Sequence, residues 1–329
     1  METATHISSA DTLAPDQLDA ARAVLAAAAA ADGREAVSEA GRLRLRAAEP
    51  RPGIRHVVAT AAGAAAGYAQ VELGGQAQPA TVELAVLPEL RRRGLGGQLV
   101  RAVLAEAGPG RAVDFWAHGG HPGARRLAEV HGAALVRELR QMRRTAPAPA
   151  AVPLPDGITL RTFRPGTDDE GWLRLNALAF AHHPEQGSWT ARDLADRIAE
   201  PWFDPAGFFL AVRGGADGSE DGSGGDGSGV DAERVVGFHW TKVHPATATE
   251  PELGEVYVVG VDPAEQGNGL GRALTAAGLR HLAEDRGLPT VLLYVDADNT
   301  AAVRVYERVG FTVHEVDLMY RVAEGRPVR

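Results

Sequence analysis

Apolar residues recur along the chain in two series, each predicting a mixture of helices and strands. In the first, the alanine-rich residues 16–31 predict a helix with Asp11 or Asp16 as its cap, ended by Asp32-Gly33. Val37-Ser38-Glu39 leads toward a short second helix. Arg55 to Thr60, Gly67 to Leu73 and Thr81 to Val86 read as strands, the third closed by Pro88. Leu99, Val100, Val103 and Leu104 then share one helical face. In the second series, Ile158 to Phe163 reads as a strand, and Asp169 to Ala181 as a helix carrying Trp172, Leu173, Leu175, Leu178 and Ala179. Phe208 to Val212, Val235 to Trp240 and Val256 to Val261 are strand-like, the last stopped by Asp262-Pro263. Leu270, Ala273, Leu274 and Ala277 return to helical spacing, and Asp298-Asn299 opens a helical stretch from Ala301 to Arg308.

The two series align at a nearly constant offset. Leu84-Ala85-Val86-x-Pro88 and Gly94-Leu95-Gly96 match Val259-Gly260-Val261-x-Pro263 and Gly269-Leu270-Gly271. Phe115-Trp116-Ala117 matches Leu293-Tyr294-Val295, and Gly132 matches Gly310. A period this long means a duplicated domain, because solenoid repeats run to about 20–50 residues. We expect one copy over residues 1–145 and a second over 158–329, joined by the Pro/Ala linker 146–157, whose composition favours an extended semi-rigid chain. Residues 214–229, built from Gly, Ser, Asp and Glu with one Ala, are expected to be a disordered hairpin insertion.

Composition narrows the function. The 329 residues suffice for two domains, and 45% hydrophobic content suffices for packed cores. A net charge of −9 argues against nucleic acid or an anionic membrane as partner. With no cysteine there is no disulfide framework, thiolate metal site or thiol nucleophile. Met1 to Ala10 lacks the pattern of a secretory signal, and the Ala20–Ala31 run is too poor in bulky apolar residues to span a bilayer, so a cytoplasmic location is expected; a monomer is the separate expectation for assembly.

Strand, glycine loop and helix N-terminus together form an anion site: glycines admit close approach, and first-turn N–H groups point at a phosphate. The loop here ends Gly271-Arg272-Ala273, without the Gly-Lys-Ser/Thr of a nucleotide triphosphatase. Arg272 stands where a dinucleotide fingerprint needs its third glycine.

The phrase Val259-x-Val261-x-Pro263 followed by Gln266-x-x-Gly269-x-Gly271, with Asp298-Asn299, Ala301, Ala302, Tyr306 and Gly310-Phe311 further on, resembles the acetyl-CoA motif of the GCN5-related N-acetyltransferases (GNAT). The resemblance implies a mixed α and β fold of two tandem GNAT domains, each a twisted central mixed β-sheet flanked by helices. It implies acetyl-CoA as co-substrate, without a metal. In the second copy it points to contacts from Val259, Gly260, Val261, Gln266, Gly267, Asn268, Gly269, Leu270, Gly271 and Arg272, then Asn299, Thr300, Ala301, Ala302, Val303 and Arg304. In the first copy it points to Leu84, Ala85, Val86, Arg92, Arg93, Gly94, Leu95, Gly96 and Gly97.

Amine acetylation requires the ammonium to lose a proton, a donor for the tetrahedral oxyanion, and a proton for the departing thiolate. By resemblance Glu255, at the start of the central strand, is the base and Tyr306 the acid, with a backbone N–H at Val259 or a neighbour serving the oxyanion. Read singly, Glu255 would be a surface carboxylate and Tyr306 a packing ring. At the duplication offset they correspond to Ala80 and Ala128, and Tyr294 to Trp116. The first copy is therefore expected to bind without catalysing.

A narrower resemblance, to the mycothiol acetyltransferase family, rests on several phrases. These are His182-His183-Pro184-Glu185-Gln186-Gly187 with Trp189, Trp202-Phe203-Asp204-Pro205, Gly237 to Pro245, Gly254 to Val258, and Phe115 to Gly119. Asn268 departs from it where an arginine would be expected. It implies that the acceptor is the cysteinyl amine of cysteinyl-glucosaminyl-inositol, and that Glu39, Glu185, Lys242, Glu255 and Tyr294 bind it, with Glu39 coming from the other copy. Taken singly, Glu39 and Lys242 read as solvated surface charges. The alternatives are an N-acetyltransferase for another amine or a peptide N-terminus, and a non-catalytic acetyl-CoA sensor. His118, His121, His182 and His183 lack metal-ligand spacing and read as loop residues with polar contacts.

Overall fold

The computed structural model describes residues 5–47, 49–75, 77–183, 185–214, 233–247 and 250–324. The greater part of the expected insertion, residues 215–229, lies outside them. The first series forms β1 (Thr5–Ala10), α1 (Pro15–Asp32), α2 (Glu39–Arg46), β2 (Ile54–Ala61), β3 (Ala64–Glu72), β4 (Ala80–Val86), α3 (Leu95–Ala107), β5 (Val113–Ala117), α4 (Pro122–His131) and β6 (Ala134–Thr145). The second forms β7 (Ile158–Thr162), α5 (Asp169–Ala179), α6 (Ala191–Ile198), β8 (Phe208–Arg213), β9 (Arg234–His244), β10 (Leu253–Val261), α7 (Leu270–Arg280), β11 (Thr290–Asp296), α8 (Thr300–Arg308) and β12 (Thr312–Val322). Two compact units result. The first contains Met1–Arg140, Asp296–Asn299 and Glu315–Arg329; the second contains Gln141–Val295 and Thr300–His314.

In the first unit the strands run β1-β2-β3-β4-β5-β12, antiparallel except for the parallel pair β4/β5. Alternation along β2 sends Val57 to one face and Val58 to the other. Val57, Ala59, Ala69 and Val71 pack with Leu95, Leu99 and Val103 of α3. Val58, Tyr68 and Ala85 pack with Ala21, Val24, Leu25 and Ala28, one helical stripe of α1. Neither Asp11 nor Asp16 caps α1: the cap position is Ala14, Pro15 opens the helix, and Gln17 reaches back to the Ala14 N–H at 3.0 Å. Proline at the first helical position needs no N–H partner, which moved the start past Asp11.

In the second unit β7, β8, β9 and β10 are antiparallel neighbours and β10 pairs with β11 in parallel. One face carries Phe208, Leu210, Phe238 and Trp240 against Trp172 and Leu175 of α5 and Leu194 of α6. The other carries Ala211 and Val236 against Leu270 and Leu274 of α7, and Val256 and Leu293 against Leu279 and Leu282. Among the described residues no helix is long and apolar enough to cross a membrane.

Candidate active site

The central strand β10 leaves β11 part-way along while staying paired with β9 as far as Val261. Its register with β11 covers only Gly254 to Val256 opposite Val291 to Leu293, although both strands continue, and its register with β9 shifts at Tyr257. Such a bulge adds one residue and re-aims the strand. Beyond it come Val259, Gly260 and Val261, then the glycine loop. Asp262 caps a 3₁₀ turn by accepting the Ala264 N–H at 2.9 Å. Buried Glu265 anchors the loop through Arg213 at 2.7 and 2.9 Å and Arg234 at 3.2 Å.

Gly267 and Gly269 hold φ of +86° and +92°, and nothing lies within 4 Å of where a Cβ would stand on either. The left-handed backbone is accessible there to an anion at van der Waals range. Asn268, in place of the expected arginine, closes the loop: its Oδ1 accepts the Leu270 N–H at 3.0 Å and its Nδ2 donates to Glu265 at 3.1 Å. In the first turn of α7 the Ala273 N–H is bonded to Gly269. The helix end thus presents the N–H groups of Gly271 and Arg272. Two left-handed glycines, an uncovered backbone and a helix N-terminus fit the pyrophosphate of a coenzyme A thioester.

Glu255 is 5% exposed, so it is not the surface carboxylate that a single glutamate suggests. Its Oε2 lies 2.6 Å from His244 Nε2. It pairs across the strands with Lys242 on β9 and Leu292 on β11, and cross-strand partners point to one side. His244 lies two residues beyond Lys242, and Tyr294 two beyond Leu292, so Glu255, Lys242, His244 and Tyr294 share a face. Lys242 is also buried, 7% exposed, in contrast to a solvated surface charge. Its ammonium stands 4.3 Å from the Trp202 ring centroid and 5.0 Å from that of Tyr257. Cation–π attraction holds it where water would otherwise be needed. The Tyr294 hydroxyl accepts from Gln141 at 2.9 Å, and the residue remains 43% exposed. Glu185 is exposed, just before a 3₁₀ turn at Gln186–Ser188, and Glu39 opens α2 in the first unit.

Tyr306 lies on α8, partly buried against the Val256/Leu293/Val303 cluster and edge-on to Phe311 at 5.9 Å. Burial pushes its phenol up to about 12. Thr300 to Arg304 form the first turns of that helix, with Val303 facing the core and Ala301 and Arg304 exposed, while Asn299 belongs to the first unit.

The first unit repeats the frame with different chemistry. β4 and β5 pair only through Ala80 to Val82 and Val113 to Phe115. Arg92 and Gly94 take positive φ, 62° and 85°, before Leu95 opens α3. Leu84, Val100, Phe115, Trp116, Leu127 and Tyr320 line a cavity of about 60 Å³. Ala80 and Ala128 are buried and carry no proton-transfer group. A cluster that sequence reasoning did not assemble stands in the same unit: His118 Nε2 meets buried Glu83 at 2.8 Å and Nδ1 meets Asp317 at 3.2 Å. Ser38 adds its N–H at 2.6 Å and its hydroxyl at 3.1 Å to Glu83. Burial alone would lower the imidazole, but bonds to Asp317 and Glu83 and their charges push it up to about 10. The only sequence trace of it was the Phe115–Gly119 phrase. Among the described residues no group of His, Cys, Asp or Glu is placed to hold a metal ion.

The acetyltransferase (GNAT) family model matches residues 24–133 and 175–311. The mycothiol acetyltransferase of Streptomyces griseus subsp. griseus is 55% identical over 313 residues, covering 94% of each chain. A crystal structure of a GCN5-related N-acetyltransferase from Sphaerobacter thermophilus aligns with a TM-score of 0.61 at 30% identity, covering 98% of this chain and 96% of that one. A tandem GNAT protein from the clavulanic acid biosynthesis pathway aligns with a TM-score of 0.66 at 16% identity, covering 97% and 98%, a likeness of fold.

Proposed function

The chain belongs to the acetyltransferase (GNAT) family and, within it, to the mycothiol acetyltransferases; on that premise we propose that it acetylates the cysteinyl amine of 1D-myo-inositol 2-(L-cysteinylamino)-2-deoxy-glucopyranoside to give mycothiol. Acetyl-CoA, when bound, supplies the acetyl group as a thioester. The observation that carries the reading is the buried Glu255 on one face with Lys242 and Tyr294, beside the strand that turns away into the glycine loop.

Each residue has a task in this reading. The loop Gly267 to Arg272 holds the pyrophosphate, with the N–H groups of Gly271 and Arg272 as donors at the helix end, and Val259 to Val261 offer main-chain partners to the pantetheine arm. A backbone N–H at Val259 or a neighbour donates to the oxyanion. The Glu255 carboxylate takes a proton from the acceptor ammonium. The Tyr306 hydroxyl donates to the departing sulfur. A free thiol has a pKa of about 8.5, so a phenol raised to about 12 gives up its proton only as sulfur acquires full charge. Low-dielectric surroundings penalise thiolate and phenolate alike, which narrows the gap. Glu185, Lys242 and Tyr294 bind the polar acceptor.

Purified full-length protein given acetyl-CoA should acetylate cysteinyl-glucosaminyl-inositol far faster than it acetylates unrelated amines or peptide N-termini. Equal rates across such a panel would point to a broader amine acetyltransferase. Acetyl-CoA binding with no turnover on any amine would point to a sensor.

A further inference from the structure

Acetylation of an ammonium removes two protons from nitrogen. The leaving thiolate takes one, so the other must reach water in every turnover. In the reading above, which this inference rests on, Glu255 receives that proton, yet its carboxylate is buried. A buried carboxyl that must reset needs a neighbour able to carry the proton outward.

His244 meets that need by position. Its Nε2 lies 2.6 Å from Glu255 Oε2, while 35% of its side chain is exposed. It stands at the last residue of β9, opposite Leu253 and diagonal to Glu255. We propose that His244 is the proton exit of the second unit, acting on the substrate only through Glu255. Glu255 takes a proton from the ammonium and becomes a neutral carboxyl. The O–H bond on Oε2 breaks as an N–H bond forms on His244 Nε2, returning the carboxylate and giving an imidazolium. The imidazolium then loses its Nδ1 proton to water, and exchange with solvent restores the starting tautomer. Imidazole is the side chain suited to this step near neutral pH.

The surrounding charges leave the role to His244. Lys242, the cross-strand partner of Glu255, is a cation held over Trp202 and Tyr257 and in that form has no lone pair to accept a proton. Glu250, in the field of His244 and His314, is engaged by Arg143, whose hydrogen bond is the main cause holding its carboxyl below the usual range.

The test uses full-length protein, acetyl-CoA and cysteinyl-glucosaminyl-inositol, with product separated chromatographically because the acceptor itself carries a thiol. H244A should lower kcat at least about tenfold, and imidazole in the buffer should restore most of the loss, substituted imidazoles doing so in order of their basicity. E255Q should be slow and unaffected by imidazole. H244Q keeps a side-chain hydrogen-bonding group and carries no ionisable one, so it should also be slow. A wild-type rate in H244Q overturns the relay even where H244A fails to fold. A slow H244A that imidazole does not restore makes His244 a support for the strand end and also overturns it. A normal H244A beside a slow E255Q removes the relay and leaves Glu255 as base, whereas a normal E255Q removes the base assignment itself.

Discussion

Gly278 of α7 leaves room for the imidazole of His239 on β9: a Cβ built on the glycine would stand 2.1 Å from the ring's Cε1 and 2.3 Å from its Nδ1. The Nδ1–H donates to the Leu274 carbonyl at 2.7 Å, one turn earlier in the same helix. Complete burial, opposed by that bond, pushes the imidazole down to about 4, so the ring is neutral and donates through Nδ1. The helix that begins at the glycine loop is thus seated on the sheet by a side chain that requires a missing one.

Replacing Gly278 by alanine inside a helix ordinarily stabilises by about 1 kcal/mol. Here the added methyl meets the ring, and overpacking costs about 1–3 kcal/mol. G278A should therefore lower the thermal midpoint and, by displacing α7, weaken acetyl-CoA binding. A melting curve at or above wild type would show that the ring yields without cost.

The glycines of the loop separate fold from binding. Gly271 has ordinary φ, and its Cβ would meet only Val261 Cγ2, at 3.6 Å. G271A should leave the unliganded protein as stable as wild type while weakening acetyl-CoA binding, because the methyl enters the space assigned to the pyrophosphate. Gly269 has φ +92°, where an L residue is strained by roughly 1–2 kcal/mol, so G269D should lose both stability and affinity. Calorimetric titration together with thermal melts distinguishes the two. Unchanged acetyl-CoA affinity in both variants would remove the loop from the cofactor site.

Local signals were legible and long-range ones were not. The strand Val256 to Val261, its stop at Pro263 and the glycine loop are short-range patterns, and β10 and α7 follow them closely. Lys242 read as a surface charge because its aromatic partners come from elsewhere: Trp202 precedes it by forty residues and Tyr257 lies on the next strand. His244 escaped notice for the same reason, since its proximity to Glu255 depends on the β9/β10 register. The placement of Glu315–Arg329 in the first unit could not be read either. β6 and β12 are equivalent strands of a duplicated domain, and their hydrophobic patterns do not distinguish one sheet from the other.

The Glu83–His118–Asp317 cluster gives the first unit a pH signature. His118 is raised, so its contribution is fully present below about 6.5 and is lost as pH rises through about 10. Burial opposes ionisation of Glu83 and Asp317, but bonds to His118 and to backbone N–H groups hold both carboxyls below their usual range; that contribution fades as acid protonates them. H118N should destabilise by about 3–5 kcal/mol near neutral pH, the cost of removing one member of a buried charge cluster. The gap to wild type should narrow above pH 10 and in strong acid. A gap independent of pH would mean that His118 acts by packing alone.

Tyr306 allows a sharper kinetic test because its hydroxyl and its ring do different things. The ring packs edge-on to Phe311, so Y306F keeps the core and removes only the proton donor. A positioned acid contributes about 10²–10⁴-fold, and kcat should fall in that range while acetyl-CoA affinity and thermal midpoint stay near wild type. Wild-type pH dependence supplies a second reading. With the phenol raised to about 12, the protonated acid persists through pH 10, so the wild-type rate should show no alkaline loss from Tyr306 below that pH. A phenol at its ordinary pKa of about 10 would already be half ionised there. Should Y306F turn over at the wild-type rate with chemistry shown to be rate-limiting, water supplies the proton and Tyr306 only packs.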